Sequence, residues 1–79
     1  MEEKDKLRIL IPHWIAHNTE HANEFRDWAT LNKMVSADIL AAADSIVLAN
    51  ESLLSALEKL GGMLQYSPLG NKADKDGAV

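Results

Sequence analysis

Residues 13–28, HWIAHNTEHANEFRDW, hold all three histidines and both tryptophans of a 79-residue chain. His13, His17 and His21 recur at i, i+4 and i+8, so on a helix they form one line along one side. Projected at about 100° per residue, Leu7, Ile11, Trp14, Ala22, Phe25 and Ala29 share a neighbouring face. Two residues threaten that helix. Pro12 lacks an N–H and clashes with the carbonyl four residues back. Asn18, near the middle of the apolar face, could instead cap a new helix starting at Thr19. The apolar pattern crosses both positions in phase. One long helix is therefore expected from Asp5, a suitable N-cap, to about Asn32, kinked at Pro12. The alternatives are a helix that begins at Pro12, where proline suits a first turn, and a three-helix bundle broken near Asn18.

Working outward, residues 1–4 read as frayed, and Lys33–Ser36 as a short connection. Ser36 suits an N-cap, and Asp38 in the following turn suits the positive end of a helix. From Ala37 the helical pattern is strong: Ile39, Ala43, Ile46, Leu53, Leu57, Leu60 and Leu64 share a face. Gly61-Gly62 should end this second helix. Two long helices of similar length around a short turn make an all-α antiparallel hairpin over residues 5–64. Residues 65–79 contain Pro68, Gly70, Gly77 and alternating charges with few apolar side chains, and read as a disordered C-terminal tail.

If the chain turns near Met34, facing residues have numbers that total about 68. Asn18 and Asn50 then meet, each near the middle of its apolar face. A buried polar pair of this kind can fix register at some cost in stability. The same register sets Phe25 opposite Ala43, Ile11 near Leu57 and Trp14 near Leu54. A lone hairpin leaves its flanks bare. Leu40, Val47 and Leu54 repeat every seven residues on one side, joined by Ile15 and Ala22. Ala42, Ala49 and Ala56 repeat at the same period on the other. This surface argues that the hairpin forms a homodimer, a four-helix bundle.

The totals agree with a small associating domain. A chain of this length buries a modest fraction of its surface and usually needs a disulfide, a metal or a partner. It has no cysteine, which removes disulfides and thiolate sites. The net charge of −4 is spread among mixed residues, so neither nucleic acid nor a membrane surface is an expected partner. Ile9–Ile11 is too short for a membrane span or a signal core, and the default location is cytoplasmic. A cysteine nucleophile, a Gly-rich phosphate loop and a Ser/His/Asp pattern are all missing, so catalysis is not expected.

Imidazole is a common ligand for zinc, nickel and copper. Histidines at i and i+4 can chelate one ion from adjacent turns. His13 and His21 lie about 12 Å apart along a straight helix, so all three cannot simply share one ion. Glu24, on the same side, is the best local carboxylate, with Glu20 weaker. The metal reading thus names His13, His17, His21 and Glu24, with nickel or zinc as the ion. A two-fold near His17 would set His21 of one hairpin beside His13 of another. The plainer reading is a helix flank whose histidines bond water, carboxylates or backbone, with Trp14, Phe25 and Trp28 as core or dimer contacts. A third is a pH-sensitive surface, where protonation puts three positive charges in a row against an interface.

The segment His13-Trp14-Ile15, His17-Asn18, His21, Phe25, Trp28-Ala29, followed by Leu48-Ala49-Asn50-Glu51-Ser52-Leu53, resembles a small uncharacterised helical domain, a domain of unknown function. The resemblance covers most of residues 7–62. It implies a loose association with nickel or related metal handling and no established activity. Two functions are therefore expected to compete. One is a small metal-binding or metal-handling accessory protein. The other is a helical dimerisation or protein-interaction module that binds no metal.

Overall fold

A computed structural model describes residues 2–64. The tail expected over 65–79 lies outside them. Two helices pack against each other, α1 (Glu3–Ala29) and α2 (Ser36–Lys59), with no strand among the described residues. α1 runs unbroken through both Pro12 and Asn18, which removes the start at Pro12 and the three-helix alternative. The tertiary seam outweighs the local cap that Asn18 offers.

Three expected helix ends are corrected. Asp5 is not the N-cap of α1. It lies inside the first turn, 3.7 Å from the Arg8 guanidinium, and the cap position falls to Glu2, whose side chain makes no capping bond. α1 also ends at Ala29 rather than Asn32. There Thr30 Oγ1 donates to the Asp27 carbonyl and Asn32 Oδ1 accepts from the Met34 amide. Such short polar side chains compete with the helix for its backbone groups. Ser36 is the first residue of α2 rather than its cap, which is Val35. Past Leu60, Gly61 N donates to the Glu58 carbonyl and Gly62 N to the Leu57 carbonyl. That pair is a Schellman closure. It needs positive φ, and the two glycines have φ of 103° and 91°.

The open end of the hairpin is tied shut by a device the sequence pattern does not display. Pro12 has no N–H, so the carbonyl of Arg8, four residues back, loses its helical donor. The Leu64 amide donates to that carbonyl at 3.3 Å. The Arg8 Nε donates to the Gly62 carbonyl at 2.7 Å, and a second guanidinium nitrogen reaches the Gly61 carbonyl at 3.5 Å. One residue of α1 thereby satisfies two carbonyls and one amide of the segment that follows α2.

The core is narrow. Among the described residues the buried apolar side chains are Ile11, Ala22, Ala29, Ala43 and Leu57. All five lie on the inward faces that the periodicity defines, and three of them are alanines, which lets the helices approach closely. The molecule measures 16 Å across its thinnest direction, more than the ~10–12 Å diameter of one helix but less than two stacked layers of them. Domains ordinarily bury apolar faces between two layers. Here the second layer is missing.

Candidate functional site

At the middle of the seam the two asparagines face each other. Asn18 Nδ2 donates to Asn50 Oδ1 at 3.0 Å. Asn50 Nδ2 in turn donates to Thr19 Oγ1 at 3.2 Å and to the Ile15 carbonyl at 3.3 Å, while Thr19 Oγ1 donates to that same carbonyl at 2.9 Å. The network fixes where α1 and α2 stand level. It also shows which way Asn50 leans, toward the Ile15–Thr19 side of α1.

The seam divides the hairpin into two broad faces. On the first, Ile15 and Thr19 of α1 adjoin α2, whose Leu40, Val47 and Leu54 project to the same side at helical spacing. These three are exposed by 41%, 36% and 49%. On the second, His13, Trp14, His17 and Asn18 line an open cleft with Leu53. Phe25 and Trp28 line another with Asp38, Ile39 and Ala42. Trp14 therefore lies beside Leu53 and on the face opposite Leu54, a correction by one residue that changes the face. Trp28, expected as a core or dimer contact, is 62% exposed in the single chain.

The imidazoles occupy successive turns of α1 on the second face. The His13 and His17 ring centroids are 6.0 Å apart and the His17 and His21 centroids 4.7 Å, the latter edge to face. Glu24 Oε1 lies 3.5 Å from His21 Nδ1, with both side chains at least half exposed. His17 and His21 also border a shallow depression with Glu20, Asn23, Glu24, Asp27 and Trp28. Two imidazoles on adjacent turns are thus close, with carboxylates beside them. His13 stands farther off. Among the described residues, no group of three or more histidine, aspartate or glutamate side chains is placed to hold an ion. One chain offers an ion at most the His17–His21 pair, leaving its other positions to water, to a moved carboxylate or to another molecule.

Composition of α2 adds a feature that the short Ile9–Ile11 run does not reveal. By length and apolar content alone, Ser36–Lys59 is sufficient to cross a membrane. The cause is the predominance of Ala, Leu, Ile and Val between its four acidic residues, Asp38, Asp44, Glu51 and Glu58.

A family model described as a domain of unknown function (DUF8180) matches residues 7–60, more than half of the chain. No curated protein and no solved structure matches it.

Proposed function

The chain belongs to the DUF8180 family, and from its own geometry we propose that it is a helical association module: a hairpin that supplies half of a four-helix bundle to a second copy of itself. The observation that supports this is the thinness of the core. Two helices of 27 and 24 residues cover few large apolar side chains. Trp14, Trp28, Leu40, Leu48 and Leu54 remain at least 40% exposed. Large apolar side chains left exposed on both faces of one hairpin mark interaction surfaces. The reading carries no catalytic step and keeps the module in aqueous surroundings, the cytoplasm. Insertion of α2 into a bilayer is the less favoured use of its apolar length. Asp44 and Glu51 would then lie near the membrane centre, where a carboxylate costs about 2.5–3.5 kcal/mol.

If association supplies the second layer, folding and dimerisation are linked. The thermal midpoint then rises with protein concentration, as for any state stabilised by mass action. Circular dichroism melts across a hundredfold range of concentration test this. A midpoint independent of concentration, with full helicity at high dilution, would reject the reading.

A second reading attaches to the same scaffold: the imidazole row binds a divalent transition-metal ion, nickel or zinc. The 4.7 Å approach of His17 and His21 favours it, since imidazoles on adjacent turns can reach one ion. In this reading His17 and His21 give nitrogen ligands, Glu24 gives an oxygen or orients His21, and His13 binds only through a second molecule. Titrating chelator-stripped protein with nickel and zinc while following the imidazole NMR signals tests it. Saturable shifts at near-stoichiometric metal, lost in His17→Ala with helicity retained, are expected. Unchanged signals at excess metal would reject it.

A further inference from the structure

The hairpin has two bare faces, and they are not equivalent in charge. We infer that the face bearing Ile15, Leu40, Val47 and Leu54 is where a second copy of this chain docks, with the two-fold axis parallel to the helices, so that Arg26 of each copy meets Asp44 of the other. This assignment rests on the association reading above and adds the face, the axis and the pairing to it.

The available area suits a dimer. Twenty-four residues of α2 extend about 36 Å, and two adjacent helices are about 20 Å wide. A hairpin face therefore offers roughly 700 Å², close to the ~800 Å² per partner of a stable interface. On this face the apolar stripe has heptad spacing. Leu40, Val47 and Leu54 recur every seven residues, the repeat by which one helix keeps facing another.

The axis follows from the charges at the rim. Asp44, Glu51 and Glu58 border the stripe along α2, whereas α1 contributes Arg8 and Arg26 on the same side, by helical projection. In the single chain the Arg26 guanidinium donates to Asn23 Oδ1 at 3.2 Å, an exposed contact on the outer side of α1 that pairing with Asp44 of the partner subunit would replace. The Asn18–Asn50 bond sets the heights. Arg26, eight residues beyond Asn18, is level with Ala42, eight residues before Asn50. Likewise Arg8 is level with Leu60. A two-fold parallel to the helices preserves height and places α1 of one copy over α2 of the other. Arg26 then comes within two residues, about 3 Å along the axis, of Asp44 of the partner subunit. Arg8, already committed to the Gly61 and Gly62 carbonyls, comes as near to the partner's Glu58.

The other two-fold, perpendicular to the helices, stacks α2 on α2. Centred on Val47, it pairs leucines with leucines but sets Asp44 beside Glu51 of the partner subunit, carboxylate against carboxylate, twice. Like charges across an interface suppress an arrangement while opposite ones select it. The parallel axis is therefore the one the rim selects. In it the face with Trp14, His17, His21 and Trp28 stays outward, open to an ion or a further protein.

Sedimentation equilibrium of the full chain and its variants tests the assignment, with helicity checked for each. Val47→Glu, at a partly exposed position, is expected to raise the dimer dissociation constant at least about thirtyfold, as for a central contact. Trp28→Glu, on the opposite face, is expected to leave it within about threefold. Arg26→Glu and Asp44→Lys should each weaken the dimer about tenfold, and the double variant should recover most of the loss. A dimer that survives Val47→Glu but not Trp28→Glu overturns the face while leaving association standing. Full strength in the charge variants, or no recovery in the double variant, overturns the axis. A wild-type chain that stays monomeric at every concentration overturns the association reading itself.

Discussion

Asn50 carries more of the seam than its modest size suggests. Its amide oxygen accepts from Asn18, and its nitrogen serves both Thr19 and the Ile15 carbonyl. Removing it strands the Asn18 amide in a partly buried position, and an unmet polar group costs about 1–3 kcal/mol. Asn50→Ala should lower the unfolding free energy by that amount in a urea titration. Replacing both asparagines by leucine should recover most of the loss, because paired apolar groups leave nothing unsatisfied. If Asn50→Ala unfolds at the same urea concentration as wild type, the network has no energetic weight. The histidines stand in contrast. Each lies on the solvent side of α1, and their significance rests on mutual spacing rather than on burial.

At the scale of the element, Pro12 is the residue whose local and long-range effects oppose each other. In a helix interior proline is about 3 kcal/mol worse than alanine. Here the carbonyl it orphans is taken up by Leu64. Pro12→Ala restores the helical donor to Arg8 and is expected to stabilise α1 by about 1–2 kcal/mol, once the looser unfolded chain is allowed for. The same change should speed hydrogen exchange at the Leu64 amide, whose acceptor is now contested. Slower or unchanged exchange there would show that the closure does not depend on the proline.

The elements themselves were legible because their evidence is periodic. Apolar spacing carries through Pro12 and Asn18, and it predicts one continuous α1 facing one α2, as observed. Helix ends were less legible. Asp5 and Ser36 have good capping chemistry, but Asp5 is drawn to Arg8, and α2 begins one residue earlier than a Ser36 cap requires. The Arg8–Gly62 tie joins positions 54 residues apart, and no local pattern announces such a bond. For the candidate site, spacing alone put three imidazoles on one flank. It did not distinguish the close His17–His21 pair from the more distant His13, since ring separations depend on side-chain rotamers.

For the whole molecule the decisive feature is a missing layer. A hairpin 16 Å thick, with alanines making up most of its buried set, has little apolar burial to set against the entropy of ordering some sixty residues. A domain of this size is marginal even when fully globular. The exposed Leu40–Val47–Leu54 stripe and the Trp14–Trp28 flank are the surfaces that remain for the missing stabilisation. The first is assigned to a second copy, and the second remains for a ligand or partner. The most direct test is the mass of the full chain in solution by sedimentation equilibrium, from low micromolar to near-millimolar concentration. A species of twice the 8.7 kDa chain mass, dissociating on dilution with loss of helicity, is the expected result for a hairpin that needs a second copy. A fully helical species of single-chain mass throughout would contradict it.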